Sequence, residues 1–273
     1  MSPSSPASRS SDSLWGVLVG TYLGLLATPL ALLAVVRLGV ESAGLLYGVS
    51  LAALTAVLGL GWWATARWDG TAVRLGATRL RWLPAALPVP YAVGGFASLS
   101  ATGVVGLLAF FFGLGATVLG LVLGVMARTR YTDAVLDGVD IACAFHAGWP
   151  AAARRRLGVV AGAVVVVGGA CFVGSLFTDG SLLQLAGQLL FPVGFVLYTS
   201  TEKREYTVSP AGLEQRMPVA RRLSRWDAFE SYSRTADALV LHRPCRLDAR
   251  FALSDLDDPD AVEAAVARHL PAA

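Results

Sequence analysis

Three carboxylates recur at a helical interval in an otherwise apolar chain: Asp133, Asp137 and Asp140 stand at i, i+4 and i+7. A helix starting near Thr132 would carry them on one face, with Val135, Leu136, Val139 and Cys143 largely on the other, as an interfacial amphipathic helix does. Such a face suits docking or solvation. Together with His146 the oxygens have the hardness a divalent cation needs, yet hard-cation sites lean on loop geometry and backbone carbonyls, so no metal site is assigned. The second constellation is basic. Lys203, Arg204, Arg216, Arg221, Arg222 and Arg225 crowd one short stretch, a composition fit for anionic lipid headgroups, each charge contributing about 1 kcal/mol near a membrane surface. An equally weighted reading makes Lys203 and Arg204 topology anchors and the others solvated strand residues. A third sets the basic strands against the Asp133, Asp137, Asp140 face.

Catalysis has no comparable pattern. His146, His242 and His269 are dispersed, and no serine or cysteine is placed by motif to pair with them. Phosphate-loop, Gly-x-Ser-x-Gly and His-Glu-x-x-His signatures are absent. Cys143, Cys171 and Cys245 lie too far apart for a disulfide framework or metal spacing. The basic strands lack interleaved aromatics beyond Trp226, which argues against nucleic acid. The expectation is a protein without enzymatic activity and without a cofactor.

The elements that must carry these residues are set by composition. Of 273 residues 55% are hydrophobic and 15% charged, and mean hydropathy is +0.60; soluble domains carry about 25% charge. Uncharged runs at 14–36, 42–66, 157–178 and 180–201 each match one crossing of a core roughly 30 Å thick. The run from Trp82 to Ala127 is twice that length and must double back, with Ser100-Ala101-Thr102-Gly103 as its turn and arms at 83–100 and 104–127. Pro84, Pro88 and Pro90 disfavour a regular helix at the start of the first arm, so a re-entrant or partly extended segment is its alternative.

Arginine settles the count. Six crossings with both termini cytoplasmic place the loops 67–82 and 128–156 inside and leave Arg37 as the one basic residue of the membrane part outside. Residues 1–13, rich in Ser and Pro, form a disordered lead-in to a retained signal anchor. No ionisable side chain other than Tyr or Cys falls within the spans, which argues against ion-coupled transport but leaves a passive pore open. Small residues at four-residue spacing, Gly16/Gly20/Gly24, Gly44/Gly48, Gly120/Gly124 and Gly158/Gly162, allow close helix packing.

At Glu202 the composition changes. Residues 202–273 read as a small cytoplasmic domain of short strands: Tyr206–Ser209, Leu213–Met217, Val219–Arg225, Ala228–Ser233, Ala238–Leu241 and Arg250–Leu253. A helix follows Pro259, with Val262, Ala265, Val266 and Leu270 as its apolar stripe. The run YTVSPAGLEQRMPVARRLSRWDAFESYSRTADALVLHR, then ARFALSDLDD and the helix, resembles bacterial pleckstrin-homology-like domains of the YcxB type over roughly Arg204 to Leu270. The pattern rests on apolar spacing around Gly212, Trp226 and Phe229. The resemblance implies a small curved sheet capped by a helix, used for binding. The fold expected is thus a six-helix membrane bundle followed by a mostly-β, pleckstrin-homology-like domain. Its expected role is to present that module to membrane lipids, a cytoplasmic protein or a second copy of itself in the cell membrane. The alternative is a small-solute transporter or channel with a regulatory tail.

Overall fold

Gly16, Gly20 and Gly24 form a seam. In the computed structural model, which describes residues 6–40, 42–68, 70–99, 103–178, 181–199, 202–244 and 246–273, they lie on α1 (Pro6–Arg37) against α2 (Ala43–Arg67). A Cβ on Gly16 would meet Thr65 and Trp62, one on Gly20 the Leu58 carbonyl, and one on Gly24 the Leu54 side chain. The falling partner numbers make the pair antiparallel. Residues 6–13, expected to be disordered, belong to α1 in the structure.

The chain divides into two compact units, one ending at Val135 and one beginning at Leu136. In the first, α2 is followed by the short α3 (Thr71–Ala77), a 3-10 turn at Arg79–Trp82, α4 (Leu83–Ala86), α5 (Val89–Ala97) and the long α6 (Val104–Leu136). The expected single helix over 83–100 is therefore broken into pieces. Proline explains where: Pro88 and Pro90 lack the amide hydrogen a continuous helix needs, and the chain restarts with Tyr91 and Ala92 donating to the Pro88 carbonyl. The doubling back is nevertheless present. Gly76 abuts Ala127, Arg81 lies against Gly124, Pro84 against Gly120, Ala92 against Gly113, and Gly95 against Phe110. These broken pieces run antiparallel beside roughly 25 Å of α6, at about 1.5 Å per helical residue. Ser100, Ala101 and Thr102 of the expected turn lie outside the described residues, as do Asp179, Gly180, Ser200, Thr201 and Cys245; Gly103 has the left-handed φ of +55°.

α6 corrects the reading of Asp133, Asp137 and Asp140. The helix that carries Asp133 is the end of α6 itself; it stops at Leu136, Gly138 takes φ +72°, and Asp137 and Asp140 lie in a turn and an extended linker. The three carboxylates share no helical face. Periodicity misled because a Gly at 138 offers the left-handed conformation that ends a helix.

One strand lies outside the sequence expectation. Residues 143–147 form β1 (Cys143–Ala147), which precedes α7 (Ala151–Gly174) and α8 (Ser181–Thr199); these two helices pair as a hairpin with Gly168 against Phe191 and Gly187 against Phe172. After the hairpin come β2 (Arg204–Ser209), β3 (Gly212–Met217), β4 (Ala220–Ser224), β5 (Ser231–Arg234), β6 (Ala238–His242), β7 (Ala249–Ala252) and α9 (Pro259–Ala267). One antiparallel sheet has the order β1-β2-β3-β4, the other β5-β6-β7. Phe145, Val208, Leu213, Leu239, Leu241 and Phe251 meet Val262, Val266 and Leu270 in a common core. Asp258 caps α9 by accepting the Ala261 N–H at 2.9 Å, and Pro259 occupies its first position. All six expected strands and the final helix are present; the seventh strand comes from the far side of the α7–α8 hairpin.

Among the described residues five helices are long and apolar enough to cross a membrane: α1 from Ser13, α2, α6, α7 and α8 from Leu182. That number fits a multi-pass membrane protein. Because β1 precedes α7 and β2 follows α8, yet the two strands pair from Cys143↔Val208 to Ala147↔Arg204, the hairpin must leave and return on the same side of any bilayer it spans.

Candidate functional site

Strand parity divides the basic residues. In β2 the residues whose side chains face the core are Tyr206 and Val208, which puts Arg204 on that inner face; in β4 the register Gln215↔Arg222 places Arg222 there too. Arg216 and Arg221 fall on the outer face. Arg216 lies 3.7 Å from Glu205, and Arg221 is bound at 2.5 Å to the buried Glu214. Arg225 sits 3.8 Å from Asp227, and Lys203 Nζ 2.6 Å from Asp255 Oδ1. Lys203, Arg216, Arg221 and Arg225 thus meet carboxylates of this same unit; Arg204 and Arg222 line a cleft.

The cleft, about 220 Å³ in volume, opens between the two sheets. A row across the first sheet, Tyr206↔Gln215↔Arg222, supplies one wall. Arg243, Leu247, Asp248 and Phe251 supply the other, and Gly148, Trp149 and Glu202 reach it from the two linkers that join this sheet to the hairpin. Tyr206 stacks on Phe145 (5.6 Å between centroids) and meets Phe251 edge-on at 4.8 Å, and its hydroxyl accepts a hydrogen bond from Gln215 Nε2 at 3.2 Å. Burial pushes the Tyr206 phenol above its ordinary pKa, against the opposing pull of Arg204, Arg243 and Arg222.

Arg243 is the residue that sequence reading missed. It follows Leu239 and Leu241 at the same parity, so a charged group sits on a core-facing position; that alternation was the available signal. Its guanidinium lies 4.7 Å from the Phe229 ring centroid. Burial lowers its pKa, and the charges of Arg222 and Arg246 lower it further. Its Nε is buried without a hydrogen-bond partner among the described residues, and an unsatisfied buried donor costs about 1–3 kcal/mol. Three guanidinium groups around one phenol, one of them incompletely satisfied, make an environment that an anion would stabilise.

A second cluster has a catalytic outline. Ser233 Oγ is 2.8 Å from His242 Nε2, and His242 Nδ1 is 3.3 Å from Asp248 Oδ2, the order of nucleophile, base and orienting carboxylate. Acyl transfer also needs amide donors aimed at a developing oxyanion. Ser233 lies mid-strand opposite Val240, where the backbone amide belongs to the ladder. Asp248 additionally accepts the Arg243 N–H at 3.3 Å. These contacts tie β5 and β6 to the loop that carries Arg243. His146 is opposite Glu205 on β1, and the His269 ring stacks on Trp226 at 4.8 Å. No group of three or more His, Cys, Asp or Glu with metal-holding geometry occurs among the described residues. No family model, curated protein or solved structure matches the chain.

Proposed function

We propose that this chain is a non-enzymatic, multi-pass membrane protein whose tethered module binds anionic phospholipid headgroups in the Arg204–Arg222–Arg243 cleft. The observation that carries the reading is position: the arginines share their cleft with Gly148, Trp149 and Glu202, the linker residues next to α7 and α8. Only Gly148, Trp149 and Pro150 separate β1 from α7, a reach of roughly 10 Å when extended. That tether holds the cleft near headgroup depth.

The module is pleckstrin-homology-like in this reading. Four antiparallel strands, then three, then a C-terminal helix support it, with the α7–α8 hairpin inserted between the first two strands. Six crossings, with both termini and the module in the cytoplasm of a cell-membrane protein, are favoured by the antiparallel run of 76–95 beside α6 and by the arginine distribution. A scaffold is favoured over a transporter because Thr28, Thr55 and Thr117 within the apolar helices donate to their own helix's carbonyls, at Gly24, Leu51 and Gly113. Those hydroxyls are satisfied within their helices and need no aqueous path to meet their hydrogen-bonding demand.

The test is native mass spectrometry of the full-length protein released from nanodiscs of mixed phosphatidylcholine and phosphatidylglycerol. Retained phosphatidylglycerol that disappears when Arg204, Arg222 and Arg243 are all changed to Gln supports the assignment; equal retention by the variant removes it.

A further inference from the structure

One edge of the module points toward the hairpin. Ala147 pairs with Arg204, Glu205 with Arg216, and Met217 with Ala220, so the β3–β4 turn at Pro218 and Val219 extends beyond the same end of the sheet from which the chain leaves for α7 and returns from α8. That turn lies within one or two strand spacings of Arg204, roughly 5–10 Å. The loop after β6 belongs to this edge too, since Arg243, Leu247 and Asp248 face the same cleft as Gly148 and Glu202. The opposite end of the first sheet, about 17 Å along β2, carries the β2–β3 turn, Ser209-Pro210-Ala211-Gly212.

The tips of these two loops are apolar and unburied. Val219 is 86% exposed and Leu247 83% exposed, each more than any other large apolar side chain among the described residues between Glu202 and Ala273. Each is flanked by arginine: Arg216 and Arg221 around Val219, Arg243 and Arg246 around Leu247. Trp149, in the linker between them and α7, is 38% exposed. An apolar tip between guanidinium groups is the arrangement that sits at a lipid–water boundary, with the aliphatic group among the upper acyl carbons and the cations at the phosphates. In water the same tips would leave apolar surface hydrated at no structural gain.

We propose that Val219 and Leu247 are wedges that enter the interface of the leaflet from which α7 and α8 cross, so that the module is held to the bilayer at two loop tips as well as by its two linkers. The inference rests on α7 and α8 crossing a bilayer and is independent of what occupies the arginine cleft. Its consequence is orientation: with two linkers and two tips engaged, the cleft mouth is held facing the headgroups.

The experiment uses the full-length protein, with its cysteines replaced by Ala and its fold checked by thermal unfolding, reconstituted in nanodiscs of phosphatidylcholine alone, where no anionic headgroup is present. An environment-sensitive fluorophore is attached to Cys introduced at Val219, at Leu247 or, as a water-exposed reference at the far end of the first sheet, at Pro210. Blue-shifted emission at 219 and 247, with quenching by acyl-chain spin-labelled lipid at least threefold stronger than at 210, is the expected result. Quenching at 219 and 247 no stronger than at 210 overturns the proposal. Loss of phosphatidylglycerol binding in the arginine variant bears on the cleft alone and leaves this readout unchanged.

Discussion

Asp255 grips both linkers of the module: Lys203 Nζ lies 2.6 Å from its Oδ1, while its Oδ2 accepts the N–H of Gly148 at 3.1 Å. Lys203 follows the hairpin and Gly148 precedes it, so one carboxylate joins the chain leaving for the membrane to the chain coming back. Partial burial pushes the Asp255 carboxyl upward, but the hydrogen bonds from Lys203 and Gly148, with the charges of Lys203 and Arg154, outweigh it and hold the group below the usual carboxylate range.

A pH dependence results from that depressed value. Stability from Asp255 is fully present above the pKa of the unfolded chain and is lost as pH falls through the lower folded value. Lys203 is half exposed, so solvent screens much of the ion pair, and the bond to the Gly148 amide dominates. Asp255→Asn should cost about 1–2 kcal/mol at neutral pH. Thermal unfolding of wild type and variant in detergent checks this: the gap between them should close as the medium is acidified below the carboxylate range, and a constant gap would contradict the assignment.

The dependence on β1 is sharper. Phe145 is buried against Tyr206 and Phe251, and replacing a buried Phe by Ala costs about 3–5 kcal/mol. Phe145→Ala in the full chain should therefore loosen the module while leaving the apolar helices inserted. A fragment that starts at Glu202 lacks β1 altogether and exposes the edge of β2 from Arg204 to Val208, which invites association. Such a fragment should self-associate, and a peptide spanning 141–149 should restore a monomer by adding the missing strand. Analytical ultracentrifugation with and without the peptide reads the outcome; a monodisperse fragment alone would show that β1 is dispensable.

Why β1 escaped sequence reading while β2 to β7 did not is a matter of range. The later strands are bounded by local signals: Ser209-Pro210-Ala211-Gly212 makes a tight turn in which Gly212 has φ +147° and a Cβ would strike the Ser224 carbonyl. β1 has no such partner nearby, because its ladder lies beyond two apolar helices, and the Asp133, Asp137, Asp140 spacing suggested helix across its approach. The site was half legible for a related reason. A cluster of arginines is visible in composition, but which of them meet Glu205 or Glu214 and which face the cleft depends on register, and register is set by the core. The five long apolar helices were plain from hydropathy, whereas the breaks at Pro88 and Pro90 needed the packing against α6 to show that the segments still run together.

Two of the glycine sets make opposite predictions. Gly120 abuts Pro84 so closely that a Cβ would overlap the Pro84 carbonyl, and Gly20 is as tight against Leu58. Gly120→Val should separate α4 from α6 and lower the melting temperature of the detergent-solubilised protein by several degrees, as about 1–3 kcal/mol of overpacking does. Around Gly44, Gly48, Gly158 and Gly162 nothing lies within 4 Å of a would-be Cβ. Gly158→Ala should be neutral or stabilising by up to about 1 kcal/mol, because alanine restricts the unfolded chain and favours helix. Equal loss from Gly120→Val and Gly158→Ala would mean that the α4–α6 seam is not the contact described.

The broken pieces ahead of α6 decide the topology. Trp15 Nε1 donates to Thr71 Oγ1 at 3.2 Å, and the Arg130 guanidinium lies 5.6 Å from the Trp15 ring centroid, so the start of α1, the start of α3 and the last turns of α6 share one end of their unit. Gly95 meets Phe110 near the other end, about 30 Å away along α6. A segment that merely dipped into the bilayer and withdrew could not accompany α6 over that length. Cysteine introduced at Thr102, between α5 and α6, should therefore react with a membrane-impermeant maleimide only from the side opposite to cysteine introduced at the exposed Thr78, ahead of α4. Labelling of both positions from one side would require that 76–97 return without crossing, and would reduce the six passes to five.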